Sequence, residues 1–474
     1  MAKISAAARA ILDEVSVPFH ISDGQLVKIT NLMVEEFNAG LREAHRSVAM
    51  VPTFLTHVPD GTETGTFLTI GLMWTLLRVS EVTLDGANKS TQRDKIFQVP
   101  REVLTGTSAG FFGSCASVDV NQDYIATSVD SFLKESKIQL TAPTPIGFSF
   151  PFPVERMDVN KAKLVAWGKA LKLQDGPGQN VKKLLQEAFE HKKVNLKCGA
   201  IVNNTVTVLL SESYGYPSEN CHIGAIFGVG TNGAYVEDAA KITKLGKQIG
   251  GQMLVNTEWG TFSNKDVLPL TQFDQSMDED SPRPGFYLFE KLVSWIFLGE
   301  LVRRILVSLE QRTPHAFANG VATVGLKTPG GLNSRCLPLI DEAKTPGNIK
   351  KVLTDNEPPL EIATDEDAEI VRWVSQLVFS RAIKLCACAI GAIIMQAGYT
   401  RNRTERIPVA LAREMVYFCP RFENQLRNAL KAILGESVEK RITFLIVEDA
   451  EAIGVVIKLL WEFMRWNTGG EAIE

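Results

Sequence analysis

Over residues 24–43 apolar side chains at Leu26, Ile29, Leu32, Met33, Phe37 and Leu41 recur every three or four positions, the spacing of one face of an α-helix. Residues 52–65, rich in Pro, Gly and Thr, read as a connector. The period then changes. Residues 67–70 and 76–84 predict two strands with a tight break between them, and Asp85-Gly86 closes the second as a hairpin turn pair. A helix is expected over 181–191, a buried strand running on into a helix over 199–211, and a strand–turn–strand unit with glycines in its turn over 223–235. Long apolar-striped helices are expected over 286–309 and 368–395, with the Pro/Gly/Asn-rich segment 329–359 looping over the surface between them. Residues 441–448 predict a last strand, after which Asp449 is placed to cap an apolar helix reaching residue 464. Strands interleaved with helices make the chain α/β. No fixed-period repeat or low-complexity tract interrupts this order.

A length of 474 residues is long for one domain and points to two or three, or to two lobes around a cleft. With 45% apolar and 22% charged residues the chain can bury an ordinary globular core. Its 50 Lys and Arg against 54 Asp and Glu leave a net charge of -4, which gives no electrostatic pull toward nucleic acid or anionic membrane. The cysteines (Cys115, Cys198, Cys221, Cys336, Cys386, Cys388 and Cys419) are scattered, odd in number and form no CxxC pair. Buried thiols in a reducing compartment are expected, and no metal site. The N-terminus lacks a long apolar core and carries Asp13 and Glu14, against a signal or transit peptide. No apolar stretch is expected to be long enough to span a bilayer. A cytoplasmic location follows; a nuclear or mitochondrion-associated one stays open, although no clear basic cluster supports the nucleus.

Several segments carry more specific information. Met50-Val51-Pro52-Thr53-Phe54 is followed by PDGTETG at 59–65, Thr105-Gly106-Thr107-Ser108, IGFSFPFPV at 146–154 and Trp167-Gly168-Lys169. Then come AIVNNTVTVLL at 200–210, FGVGTNGAYVED at 227–238, VNTEWGTF at 255–262 and FEKLVSWIFLGELVR at 289–303. In this order, and over nearly the whole chain, they resemble the hexokinase family. Within it the chain resembles the catalytically degenerate hexokinase-like proteins of filamentous fungi, associated with carbon-starvation signalling or with mitochondria. The resemblance implies an actin-like ATPase (ribonuclease H-like) fold with two lobes around a sugar cleft. Residues 1–65 would be an N-terminal helical segment on the large lobe, 66–198 the small lobe joined by the C-terminal helix 449–466, and 199–448 the large lobe.

Mapped residue by residue, the resemblance divides the chemistry. The aspartate of the family's NDTV, its catalytic base, is here Asn204. A neutral amide cannot accept the hydroxyl proton, a service worth about 10²–10⁴-fold. The family's first phosphate loop, DLGGTNFR, corresponds to residues 71–78, where only Leu72, Thr75 and Arg78 match. The aspartate that would help place Mg²⁺ is Gly71, and the paired glycines that close on phosphate are Met73 and Trp74. In the second loop Gly228 and Gly230 remain but Val229 replaces a hydroxyl. The family's DGS corresponds to Ala412-Arg413-Glu414, and its DGSGAGA to residues 449–455, where acidic side chains would repel phosphate. Thr75, Arg78, Gly228 and Gly230 are thus the surviving nucleotide-side matches.

On the sugar side Lys169, Asn203, Asn232, Glu258 and Glu290 match, while the small-lobe partners have become Pro151 and Gly168. The matching residues either hold a weak hexose foothold or persist as a buried hydrogen-bonded scaffold. Trp167 and Trp259 stand in segments like those lining the family's cleft. The leading expectation is a non-catalytic or severely impaired sugar-sensing or regulatory pseudoenzyme with an unknown protein partner, making no efficient use of a cofactor. The alternatives are an active hexokinase that phosphorylates glucose or another hexose at the 6-hydroxyl with Mg-ATP, and a purely structural subunit.

Overall fold

The computed structural model describes residues 4–113, 124–156, 162–167, 171, 173–246, 249–312, 324–362, 364–401, 404–413, 419 and 421–467. In chain order the strands are β1 (Val51–Pro52), β2 (Thr64–Met73), β3 (Leu76–Asp85), β4 (Ser90–Gln98), β5 (Thr144–Ser149), β6 (Val154–Arg156), β7 (Ala162–Leu164), β8 (Leu196–Val202), β9 (Ile223–Phe227), β10 (Thr231–Asp238), β11 (Gln252–Asn256), β12 (Ile407–Ala412) and β13 (Ile442–Val447). One mixed sheet runs β4-β3-β2-β5-β8, a second runs β1-β11-β10-β9-β12-β13, and β6 pairs with β7 alone.

The first sheet is built on the β2–β3 hairpin, whose register runs from Thr64 opposite Asp85 to Met73 opposite Leu76. Alternate residues Leu68, Ile70 and Leu72 face Leu77 and Val79 in a core shared with Ile125, Val129 and Phe132 of the helix Tyr124–Glu135. The edge strand β4 carries Arg93, Asp94 and Lys95, which disfavour pairing with another chain. The second sheet lies in the larger core, to which the helices Ala6–Ser16 and Asp23–Arg42 add Leu12, Leu26, Met33 and Phe37. Ser22 and Gln25 form a capping box that starts the second of these helices. Within this core Arg381 makes two hydrogen bonds to Asp274 (2.6 and 2.7 Å) and lies over the ring of Phe19.

Three expectations need correction. The helix Asp365–Gln396 is long and apolar enough by composition to cross a membrane, with a mean hydropathy of 2.0 over its most apolar 18 residues. It is a core helix: 83% of that window is buried, because neighbours surround it on every side. The segment 329–359 is not all loop. Leu337 and Ile340, then Ile349 and Leu353, sit at helical spacing and bury the helices Cys336–Glu342 and Pro346–Thr354. Pro346 follows the Thr345 cap, where a missing N–H costs nothing. The long helix expected over 286–309 is two, Leu288–Val293 and Trp295–Arg312. Between them Ser294 turns extended and donates its hydroxyl to the Val229 carbonyl (2.5 Å), tying this break to the β9–β10 turn.

The helix Ala450–Asn467 lies between the first sheet and the helix Asn204–Gly215, sharing a core with Val206, Leu209 and Leu210. Close approach is possible because glycines face it. A Cβ on Gly147 would meet Val455 at 2.4 Å, and one on Gly199 would meet Leu459 at 2.2 Å. Its own Gly454 lies against the Thr207 backbone.

Candidate active site

Where β8 ends, Asn203 caps the helix Asn204–Gly215: its Oδ1 accepts from the Thr205 N–H at 2.8 Å. The same oxygen accepts from Asn232 Nδ2 (3.4 Å), linking the helix start to β10. Asn232 then organises its surroundings. Its Oδ1 accepts from the Gly233 and Glu258 N–H groups (2.8 and 3.0 Å), and its Nδ2 donates to Asn256 Oδ1 (2.7 Å). Asn256 in turn donates to Glu258 Oε1 at 2.7 Å. Glu258 has left-handed backbone, φ 57°, a conformation costing a non-glycine residue on the order of 1–3 kcal/mol. The hydrogen bond from its amide to Asn232 helps hold that conformation. Glu290 accepts from the Thr231 N–H (3.1 Å), so β11 fixes the Glu258 carboxylate through Asn256 and the start of β10 fixes that of Glu290.

These groups face a cavity of 410 Å³ between the two sheets, lined by Asn204, Asn232, Glu258 and Glu290 from one side. Leu72, Met73 and Trp74 at the tip of the β2–β3 hairpin, Pro151, Phe152 and Trp167 complete it from the other. Tyr287 stands at the same wall, its hydroxyl pKa pushed up to about 12 by burial first and then by the charges of Glu258 and Glu290. Such a cluster of acceptors and donors, with an aromatic wall opposite, suits a small polyol.

On the nucleotide side of the resemblance the geometry is different. Gly71 has the carboxylate of Glu451 packed on it: a Cβ at Gly71 would lie 2.6 Å from Glu451 Oε2. Ser149 donates its hydroxyl to Glu451 Oε1 at 2.5 Å, and Arg78 donates to Asp449 Oδ1 at 2.8 Å. Trp74 takes the turn with φ 53°.

One hexokinase family model matches residues 11–214, and a second model, also described as hexokinase, matches residues 222–460. The chain belongs to the hexokinase family. A glucokinase of Aspergillus niger is 31% identical to this hexokinase-family chain over 94% of its length and 96% of the relative's. Hexokinase-1 of Schizosaccharomyces pombe is also 31% identical, over 94% of this chain and 89% of that one. Among solved structures, the hexokinase of Schistosoma mansoni complexed with glucose superposes with a TM-score of 0.84 at 32% identity, covering 96% of this chain and 99% of its own. The fold is the two-lobed actin-like ATPase fold of sugar kinases.

Of the residues singled out from sequence, Asn203, Asn232, Glu258 and Glu290 come together, with Asn204 on the same cavity. Gly230 lines it too, while Gly228 supports the β9–β10 turn, its carbonyl accepting from the Trp295 N–H (2.8 Å). Thr75 and Arg78 are elsewhere. The Thr75 carbonyl accepts from the Val99 N–H (2.8 Å), and Arg78 is engaged by Asp449 and Asp94. Trp259 is not a cleft residue: it is fully buried, stacked on Phe227, and donates to Thr231 Oγ1 (2.8 Å). Lys169, Gly168, Glu414 and Cys115 lie outside the described residues.

Sequence reasoning passed over Asn256, Tyr287 and Asp175. Asn256 stands inside the VNTEWGTF segment and could have been read there. Asp175 belongs to no motif, yet its Oδ1 accepts from the Ser108 N–H (2.5 Å) and its carbonyl from Trp167 Nε1 (2.5 Å), which sets the aromatic wall.

Proposed function

We propose that this hexokinase-family chain is a hexose-responsive regulatory protein whose phosphoryl transfer is severely impaired. The observation that carries this is the carboxylate of Glu451 against Gly71, where the family has the aspartate that helps place Mg²⁺. Mg-ATP does not fit the residues present. Met73 and Trp74 line the cavity where the resemblance places glycines, Val229 stands where it places a hydroxyl, and Glu451 and Asp449 bring carboxylates to Ser149 and Arg78 of the first sheet. The charge stabilisation on which phosphoryl transfer depends is therefore missing. Asn204 at the cleft adds the loss of a proton acceptor. Hexose binding is supported by the linked Asn203, Asn232, Asn256 and Glu258 and by the glucose held in the Schistosoma mansoni relative. A second reading, an active ATP-dependent hexokinase, is favoured by relatives named hexokinase and glucokinase along nearly the full length.

A coupled assay for ADP with glucose, fructose, mannose and N-acetylglucosamine, run beside calorimetric titration of glucose, separates these. The expected result is no turnover above background together with saturable glucose binding that Glu258→Ala removes. Turnover abolished by the same substitution would establish the active enzyme instead, and no saturable heat would leave the polar cluster as scaffold. Asn204→Asp should raise turnover less than tenfold; a gain of about 10²–10⁴-fold would make that amide the sole defect.

A further inference from the structure

The polar groups of the cleft occupy one part of it. Asn204, Asn232, Glu258 and Glu290 sit together on the side of the second sheet. The same cavity is also lined by Met73 and Trp74 at the β2–β3 tip and by Val229, Ile296 and Phe297. The latter three are held as a unit: the Trp295 N–H donates to the Gly228 carbonyl (2.8 Å) and the Ser294 hydroxyl to the Val229 carbonyl (2.5 Å), which docks the first turn of the helix Trp295–Arg312 on the β9–β10 turn. All five apolar side chains are only half-buried. Among the described residues Met73, Trp74, Val229 and Ile296 belong to no hydrophobic core cluster. They therefore present apolar surface to the cleft from outside those clusters, and a bare hexose on the polar groups leaves that surface wet. The cavity's 410 Å³ lies within the range of small-molecule pockets and gives room for more than one chemical moiety.

We propose that the preferred ligand is amphipathic: a hexose carrying an apolar alkyl, acyl or aryl substituent, the sugar on Asn232, Glu258 and Glu290 and the substituent between Trp74 and Val229. This rests on the hexose-binding reading above and adds the ligand class. Binding needs no covalent step; it replaces water along an apolar wall, and burial of as few as two methylenes is worth about tenfold in affinity. Among the described residues two cations line the cavity, Lys291, which is paired with Asp278, and the exposed Arg283, which favours an anionic substituent instead; the test includes that outcome.

The test titrates the full chain with glucose, hexyl β-glucoside, 6-O-hexanoyl glucose and glucose 6-phosphate, each below any micellar concentration. At least one of the two alkylated sugars should bind ten times tighter than glucose or better. Trp74→Gly and Val229→Thr, tested separately so that a folding failure in one does not stop the other, should each bring the ratio of alkylated to plain sugar affinity toward one. Glucose that binds as tightly as both alkylated sugars overturns the proposal and leaves hexose binding intact. Glucose 6-phosphate as the tightest ligand overturns it in favour of an anion. An advantage that survives both substitutions places the alkyl chain elsewhere and also overturns it. If no sugar in the panel binds, the hexose reading itself falls, and the amphipathic ligand with it.

Discussion

Glu212 is buried near the end of the helix Asn204–Gly215, and its carboxyl pKa is pushed up to about 7, by burial first and then by the negative charge of Glu219. In the unfolded chain the same group titrates near 4.5. Below that value it is neutral in both states. As pH rises from about 4.5 to about 7 the unfolded chain loses this proton while the native state keeps it, so native stability falls through that window and stays lower above it. Glu212→Gln is uncharged throughout. Its melting temperature should match the parent at pH 4.5 and exceed it by a growing margin up to pH 8, as thermal melts across that range will record. A constant difference at every pH would mean the carboxylate is better compensated than its burial implies.

At the scale of elements, the start of the helix Ala450–Asn467 brings a carboxylate onto the β2–β3 hairpin. Where the resemblance places an aspartate there is Gly71, and the carboxylate nearest to it arrives from Glu451. Restoring the family residue alone should therefore do harm: Gly71→Asp puts a Cβ within 2.6 Å of Glu451 Oε2 and a second negative charge beside the first. A loss of about 1–3 kcal/mol in denaturant unfolding is expected from the crowding. Most of it should return in the double variant with Glu451→Ala, a coupling that two unrelated sites would not show. Gly71 and Glu451 were each legible in the sequence as departures from the pattern that the resemblance implies. Their contact was not, because they are 380 positions apart and only the packed helix brings them together. Asn203, Asn232, Glu258 and Glu290 could be read for the opposite reason: each stands in a segment whose order of residues resembles the family's. The helices Cys336–Glu342 and Pro346–Thr354 escaped because proline and glycine near their ends masked two short apolar repeats. Ser294 escaped because its hydroxyl breaks an apolar-striped helix through a contact with Val229, 65 residues away.

At the scale of the molecule, the helix Ala450–Asn467 packs the first sheet against the helix Asn204–Gly215, and Gly454 sets how closely it does so. A Cβ there would lie 2.4 Å from both the Cα and the carbonyl oxygen of Thr207, atoms of a backbone that cannot swing aside as a side chain can. Helix propensity argues the other way, since alanine is favoured over glycine by about 1 kcal/mol within a helix. The clash should win, because relieving it means moving one helix off another and opening the core of Val206, Val455 and Val456. Gly454→Ala is expected to destabilise by about 2 kcal/mol or more despite its better propensity. The displaced helix also carries Asp449 and Glu451, which hold Arg78 and Ser149 of the first sheet, so the angle between the lobes should change and enlarge the radius of gyration seen by small-angle scattering. Gly24 supplies the control. It too is helical, but nothing lies within 4 Å of the Cβ it would gain, so Gly24→Ala should be neutral or stabilising by up to about 1 kcal/mol with no change in shape. Equal effects at the two glycines would mean that the helix Ala450–Asn467 does not set the lobe arrangement. A loss confined to Gly454, with the change in scattering, would identify the packing of that helix on Thr207 as what sets the lobe arrangement.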